Sequence, residues 1–135
     1  MVAPRAEEKV ITKNHPNSFL NTHLLDELRQ LKPAEVVICG AMSNMCIDAT
    51  TRAASDFGFL CVVVHDACAA SGLKFGDWSV TAADVHAAFM AALGAAYARV
   101  LTLAEFLAGL NHNPDACFRG NDAASRGESG PKRDG

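Results

Sequence analysis

Two short, uninterrupted apolar runs, each followed by a helical pattern, constrain the fold of this chain more than any other feature. They are EVVICG at residues 35–40 and LCVVVHDA at residues 60–67. Strands that are apolar throughout are typical of parallel sheets, in which helices cover both faces. Because consecutive parallel strands need a long crossover, the two runs predict βαβ units and an α/β layered fold.

The same patterns predict two further strands and four helices. The strands lie at 9–13 and 99–103, and the helices at about 22–31, 44–57, 80–97 and 104–110. Thr22 is the expected N-cap of the first helix, which stops before Pro33, and Gly58 is expected just beyond the end of the second. Four parallel strands are fewer than the roughly five or six of most doubly wound sheets. We therefore expect the first strands of the sheet to be missing.

Composition and charge narrow the possible functions. The chain has 135 residues, half of them hydrophobic, which is enough for one core, and a single domain is expected over residues 1–110. A formal charge of −3 does not provide the basic surface that nucleic acid or an anionic membrane requires. No apolar run approaches the roughly 20 residues of a membrane span. We expect a cytoplasmic protein with no nucleic acid or membrane partner, ending in a disordered polar tail at 111–135.

The cysteines do not form a disulfide or zinc pattern. There are five, an odd number, without any C-x-x-C spacing, and most lie in apolar runs where a reduced thiol behaves as a small hydrophobic side chain. They are Cys39, Cys46, Cys61, Cys68 and Cys117.

Cys46 differs from the other four cysteines because it follows a strand and a turn. In VVICGAMSNMC the strand ends at Gly40, and Cys46 falls in the first turn of the next helix, which Ser43 or Asn44 is able to cap. Unpaired N–H groups and the helix dipole favour a thiolate there, as in the strand–turn–helix elbow of other α/β hydrolases. Position alone leaves two interpretations open, a nucleophile and a buried structural cysteine.

The stretch VVICGAMSNMCIDATTRAASDFGFLCVVVHDACAA resembles the signature of the isochorismatase-like cysteine hydrolases, and VITKNHPNSFLNTHLLDELRQL is similar to the segment that precedes it in that family. The likeness covers about residues 9–107. It combines, in the family's order, a K-x-x-x-x-S-F element, a G-x-x-S-x-x-C element, a D-A-T-x-R-A-A helix and a D-A-C-A strand end.

The resemblance implies a three-layer α-β-α fold with a mostly parallel, Rossmann-like sheet, and an Asp-Lys-Cys triad in which a thiolate attacks an amide-type carbonyl. Cys46 matches the nucleophile, and Lys13 matches the lysine whose ammonium favours the thiolate. The family also implies a cis peptide between Ala41 and Met42, and an oxyanion hole formed by the backbone N–H groups of Met42 and Cys46.

One departure from the family concerns the general base. The family's aspartate lies in a V-I-D-x-Q strand upstream of the lysine, and none of the twelve residues before Lys13 forms such a motif. We expect an N-terminally truncated member of the family. Asp66, at the end of its strand, is a reserve candidate for the base, although a turn or capping aspartate is the more usual role at such a position. Asp48 is predicted to point away from the helix face of Cys46, and His65 and His86 are interpreted as structural or exposed.

The remaining candidate residues concern the substrate. Phe19, Phe75 and Trp78 are candidate pocket residues, and the last two, in a predicted loop at 71–78, either wall the substrate or simply cover the sheet. The metal-binding residues of the family's nicotinamidase branch lie upstream of Lys13, so no metal and no cofactor are predicted. The resemblance implies a small-molecule substrate and a homo-oligomer.

Three functional hypotheses follow from the sequence. The first is a hydrolase that cleaves the C–N bond of a small amide. The second is a catalytically silent chain that lacks the general-base aspartate and assembles with a homologous subunit through an open strand edge. A dinucleotide-binding domain is the weakest, because GAMSN does not match G-x-G-x-x-G.

Overall fold

The computed structural model describes residues 3–112, which form an α/β protein built on a small parallel sheet. In chain order the elements are α1 (Leu24–Leu31), β1 (Val36–Ala41), a π-helical turn (Ser43–Ile47), α2 (Asp48–Asp56), β2 (Cys61–Ala69), β3 (Leu73–Phe75), β4 (Trp78–Val80), α3 (Ala82–Ala96), β5 (Arg99–Leu101) and α4 (Leu103–His112). The strands β1, β2 and β5 pair in parallel in the order β1-β2-β5. The predicted α/β class and parallel sheet are confirmed.

The central strand β2 forms the middle of the core, and both of its faces are covered. Its first four residues are all buried, and Cys61 and Val63 pack in one cluster with Ile38, Ala54 and Leu93. Val62 and Val64 alternate to the opposite face and are buried as well. The prediction that the apolar run at 60–67 forms a parallel strand between two helical layers is therefore confirmed.

The strand β1 is less buried than its apolar sequence predicts. Of its six residues only Ile38 is buried, and Val37 is 45% exposed. Within residues 3–112, β1 pairs with β2 alone and forms the edge of the sheet, so one side of the strand lacks a neighbour. The prediction of a fully buried strand at 35–40 is wrong for this reason.

Several local boundaries confirm the sequence patterns. Helix α1 ends at Leu31, before Pro33, and α2 ends in a Schellman arrangement in which Gly58, at φ +88°, donates to the carbonyl of Ser55 while Phe59 donates to that of Ala54. A glycine tolerates this left-handed conformation without the steric cost of a Cβ atom.

Two other local predictions are wrong, and a third holds in part. Residues 9–13 do not form a strand; this segment pairs with no other strand, and Lys9 instead forms an ion pair with Glu27 of α1. The N-cap position of α1 is His23, but the Thr22 hydroxyl accepts from the N–H of Leu24 at 3.3 Å, as a capping side chain does, and donates to the carbonyl of Ser18 at 2.6 Å. The predicted loop at 71–78 contains most of a β3–β4 hairpin, in which Phe75 pairs with Trp78 across the turn.

Helix α4 begins at a hydrogen-bonded capping box. The hydroxyl of Thr102 accepts from the N–H of Glu105 at 3.1 Å, and the carboxylate of Glu105 accepts from the N–H of Thr102 at 2.8 Å. This helix extends to His112, and the rest of the predicted tail, 113–135, lies outside the described residues, as does Cys117. Among the described helices, none is both long and apolar enough to cross a membrane.

The capping box predicts a pH-dependent contribution to stability. Hydrogen bonds from the backbone N–H and the hydroxyl of Thr102 lower the pKa of the Glu105 carboxyl below its ordinary 4.5. Because the folded-state pKa is depressed, the stabilisation is present above pH 4.5 and is lost as the pH falls through the folded-state pKa. We expect Glu105→Gln to lower the melting temperature at neutral pH and to approach the wild type in acid. A Thr102→Ala background removes the hydroxyl and keeps the backbone N–H, so the same substitution should have a smaller pH-dependent effect there; an equal effect would contradict the contribution of the hydroxyl.

Candidate active site

The central feature of the site is a contact between Lys13 and Cys46, which lie 33 residues apart in sequence. The Lys13 Nζ atom is 3.0 Å from the Cys46 Sγ atom and donates to it, and both residues are partly buried. The ammonium also donates to the carbonyl oxygens of His15, at 2.8 Å, and Pro16, at 3.4 Å. Its three donors thus reach two carbonyls and one sulfur, and none of these partners is a carboxylate.

Cys46 lies in the π-helical turn that directly follows β1. The strand continues one residue beyond Gly40, and the peptide between Ala41 and Met42 is cis. The Met42 carbonyl accepts from the N–H groups of Met45, at 3.0 Å, and Ile47, at 3.2 Å, which closes the turn. Met42 and Cys46, the two predicted oxyanion-hole residues, therefore belong to one compact turn at the carboxyl end of β1, where α/β sheets bind ligands.

Neither of the two predicted caps, Ser43 and Asn44, caps this turn. The N-cap position is Met42, and no side chain bonds to the first-turn amides. Ser43 is completely buried; its hydroxyl donates to the carbonyl of Ala69 at 3.2 Å and lies 2.8 Å from Nδ1 of His86. Since its oxygen reaches β2 and α3, Ser43 fixes the turn to the rest of the fold. The Asn44 side-chain oxygen is buried with no partner among the described residues.

This geometry favours an anionic sulfur. A lysine ammonium within hydrogen-bond distance stabilises a thiolate relative to a thiol, because the charged donor interacts more strongly with the anion. The first-turn amides and the positive end of the helical turn add to the same effect. The pair also lies at least partly exposed to solvent, so that a substrate carbonyl is able to reach the sulfur.

The other described cysteines lack these features. Burial raises the pKa of the Cys61 thiol to about 11, and burial also raises that of Cys68, whose thiol donates to the carbonyl of Val64 at 3.3 Å. Cys39 is exposed on the edge strand. Of the four cysteines within residues 3–112, Cys46 alone has an ammonium on its sulfur.

Both aspartates considered as acids are engaged elsewhere. The carboxylate of Asp66 accepts from the N–H of Leu103 at 2.9 Å and so caps the start of α4. The carboxylate of Asp48 pairs with Arg52 one turn along α2, and this hydrogen bond raises the pKa of the Arg52 guanidinium, which lies 4.5 Å from the centre of the Tyr97 ring. Asp66 thus has the capping role that is usual at such a position.

The two histidines lie near each other, and one of them contacts the turn that carries Cys46. The ring centres of His65 and His86 are 6.1 Å apart, and His86 reaches the buried Ser43 hydroxyl. This structural role for His86 agrees with its interpretation from sequence, although nothing in the sequence identified Ser43 as its partner. No group of three or more potential metal ligands occurs in the described part of the chain.

The three candidate pocket residues lie in two different parts of the fold. Phe19 is buried in the core cluster, with its ring centre 5.1 Å from that of Phe57, so its side chain anchors the segment after Lys13. Phe75 and Trp78 are 85% and 77% exposed on one face of the β3–β4 hairpin. A role for any of the three in substrate binding stays a prediction.

The chain is thus an α/β protein in which a lysine–cysteine pair lies at the carboxyl end of a parallel strand. The model of the isochorismatase domain family matches residues 1–105, so the chain belongs to the isochorismatase family. It is 51% identical over 106 residues to the uncharacterized isochorismatase family protein YddQ of Bacillus subtilis, covering 78% of this chain and 59% of that protein.

Solved structures agree with this assignment. A putative isochorismatase hydrolase from Oleispira antarctica matches with a TM-score of 0.77 and 50% identity, over 80% of this chain and 57% of that one. A cysteine hydrolase from Pseudomonas syringae pv. phaseolicola matches with a TM-score of 0.77 and 26% identity, over 81% of this chain and 52% of that one. The chain thus spans somewhat more than half the length of these relatives.

We expect removal of the buried Ser43 hydroxyl to destabilise the folded protein measurably. Ser43→Ala removes the bond to the Ala69 carbonyl and leaves Nδ1 of the half-buried His86 without this partner, so we expect the free energy of unfolding to fall by about 1–3 kcal/mol in denaturant titrations. Ser71→Ala is the matched control, because that exposed hydroxyl contacts only the Met42 sulfur, at 3.4 Å. Equal losses in the two variants would contradict a special role for Ser43.

Proposed function

We propose that this chain is a cysteine hydrolase that cleaves the C–N bond of a small amide, with Cys46 as nucleophile and Lys13 as its electrostatic partner. The observation that carries the proposal is the 3.0 Å contact between the Lys13 ammonium and the Cys46 sulfur. The family membership supports a hydrolase, and the similarity to a protein named a cysteine hydrolase supports a thiol nucleophile.

The proposed reaction has two stages. In the first, the Cys46 thiolate adds to the amide carbonyl, a C–S bond forms, and the N–H groups of Met42 and Cys46 stabilise the oxyanion. Collapse of this intermediate breaks the C–N bond, and the amine leaves with one proton taken from the solvent. In the second stage water adds to the thioester, releasing the carboxylic acid and the thiol, which returns a proton to the solvent as the thiolate forms again. Thiolate chemistry of this kind needs neither a metal nor an organic cofactor.

Protonation of the departing amine is the step for which the proposal assigns no residue. Asp66 is bound to the start of α4 and Asp48 to Arg52, and within the described residues the Lys13 ammonium donates to no carboxylate. This observation favours a second candidate, a chain that keeps the activated cysteine but does not turn over amides by itself. A small-molecule substrate, a cytoplasmic location and assembly with further copies of the chain remain parts of the proposal.

An activated ester distinguishes these two candidates. Its leaving group departs without needing a proton, so Cys46 is acylated in both cases, and intact-mass analysis detects the thioester. An amide panel is then assayed for release of amine. Thioester formation together with amide turnover supports the hydrolase, whereas thioester formation alone supports the silent chain. Failure of Cys46→Ser to abolish acylation would contradict both.

The lysine–cysteine pair predicts that alkylation of Cys46 slows when the ammonium is removed. We expect Lys13→Met to slow iodoacetamide labelling of Cys46 by about tenfold, because the ammonium no longer favours the thiolate, even after allowing for solvent screening of partly exposed groups. Lys9→Met is the matched control, since Lys9 is a more exposed lysine of the same segment and pairs with Glu27. Labelling is followed by peptide mass spectrometry, with Cys39 and Cys61 as internal references. Labelling of Cys46 no faster than that of Cys39 in the wild type would contradict an activated nucleophile.

A further inference from the structure

The segment that carries Lys13 has no regular secondary structure, yet it holds the ammonium against the sulfur. Residues 9–19 form neither a helix nor a strand, so backbone ladders do not position them. Long side chains such as lysine lose considerable conformational entropy when they are held in one arrangement. A specific set of contacts must therefore fix this segment relative to Cys46.

The hydroxyl of Thr50 provides those contacts. It donates to the carbonyl of Pro16 at 3.2 Å, it accepts from the N–H of Ser18 at 3.1 Å, and it lies 2.9 Å from the Ser18 hydroxyl. A hydroxyl has one donor and two acceptor positions. When the Ser18 hydroxyl donates, all three positions of the Thr50 hydroxyl are used by two residues of a single loop.

These bonds close a ring that contains the reactive pair. The Pro16 carbonyl accepts from both the Thr50 hydroxyl and the Lys13 ammonium, and the ammonium donates in turn to the Cys46 sulfur. Thr50 follows Cys46 by four residues, about one helical turn further along the chain. Both ends of the ring are thus attached to one continuous helical segment, so the Lys13 loop is aligned to the helix that bears its target.

We propose that Thr50 is a positioning residue for the Lys13–Cys46 pair. This inference rests on the proposed function, because it gives Thr50 a role only through the ammonium that favours the thiolate. Thr50 does not contact the sulfur in this arrangement and is not a catalytic residue. Its hydroxyl sets the distance between the ammonium and the sulfur, and thereby the reactivity of Cys46 toward an electrophile.

The adjacent Thr51 offers a matched control. Its side chain is completely buried, and its hydroxyl has no hydrogen-bond partner among the described residues. Thr51→Val therefore makes the same chemical change one position along the same helix without removing a contact to the Lys13 loop. Thr50→Ser keeps the hydroxyl at the original position and tests for rescue.

The experiment measures the rate of Cys46 alkylation and the thiolate ultraviolet absorbance in five variants of the full chain: Thr50→Val, Thr50→Ser, Thr51→Val, Lys13→Met and Thr50→Val combined with Lys13→Met. We expect Thr50→Val to slow alkylation by about fivefold, the effect of losing one typical hydrogen bond. Thr50→Ser and Thr51→Val should remain within about twofold of the wild type. In the Lys13→Met background, Thr50→Val should have no further effect, because its influence passes through the ammonium.

Each outcome separates this inference from the function on which it rests. Thr50→Val at the wild-type rate, while Lys13→Met is slow, would overturn the role of Thr50 and leave the lysine–cysteine pair intact. A slow Thr50→Ser, or an equal further loss in the Lys13→Met background, would show a merely structural effect and overturn it as well. No effect of Lys13→Met would overturn the proposed pair itself. Circular dichroism and melting temperature establish that each variant is folded.

Discussion

The hydrogen bond between Lys13 and Cys46 is the constraint around which the site is organised. It joins a segment without regular structure to the turn that follows β1, across 33 residues of sequence. Hydrogen bonds of the buried Ser43 fix the turn to the sheet, and hydrogen bonds of Thr50 fix the Lys13 segment to α2. Two independent anchors therefore converge on a single contact between an ammonium and a sulfur, which is what a preorganised electrostatic interaction requires.

The parallel sheet explains why this contact lies where it does. Strand β2 is covered on both faces, so its buried residues fix β1 and β5 in register, and the carboxyl end of β1 points the chain into the turn. Parallel strands direct their carboxyl ends to one edge of the sheet, where helices begin. The same edge holds the start of α4, with its capping box and Asp66. Some polar groups at this edge thus cap a helix, and others form the lysine–cysteine pair.

The sequence predicts the features that depend on local pattern. The buried run of β2, the end of α2 at Gly58 and the position of Cys46 after a strand all follow from apolar continuity, glycine and turn spacing. Features that depend on a partner were not predictable in this way. The exposure of β1 reflects its place at the sheet edge, and residues 9–13 lack a strand with which to pair within the described residues. The roles of Ser43 and Thr50 depend on contacts with residues between 26 and 43 positions away in sequence, although the four-residue spacing from Cys46 to Thr50 was a usable signal for the second.

The charge balance at the pair determines which step of the proposed reaction is difficult. An ammonium that also bonded a carboxylate would share its positive charge and favour the thiolate less, but the carboxylate would provide a proton carrier. Within residues 3–112 the Lys13 ammonium bonds only neutral carbonyls besides the sulfur. In the proposed reaction, this arrangement assists formation of the nucleophile more than protonation of the leaving amine. Departure of the amine, rather than attack by sulfur, would then limit the rate of the proposed amide cleavage, and acyl donors with leaving groups of low basicity would react fastest.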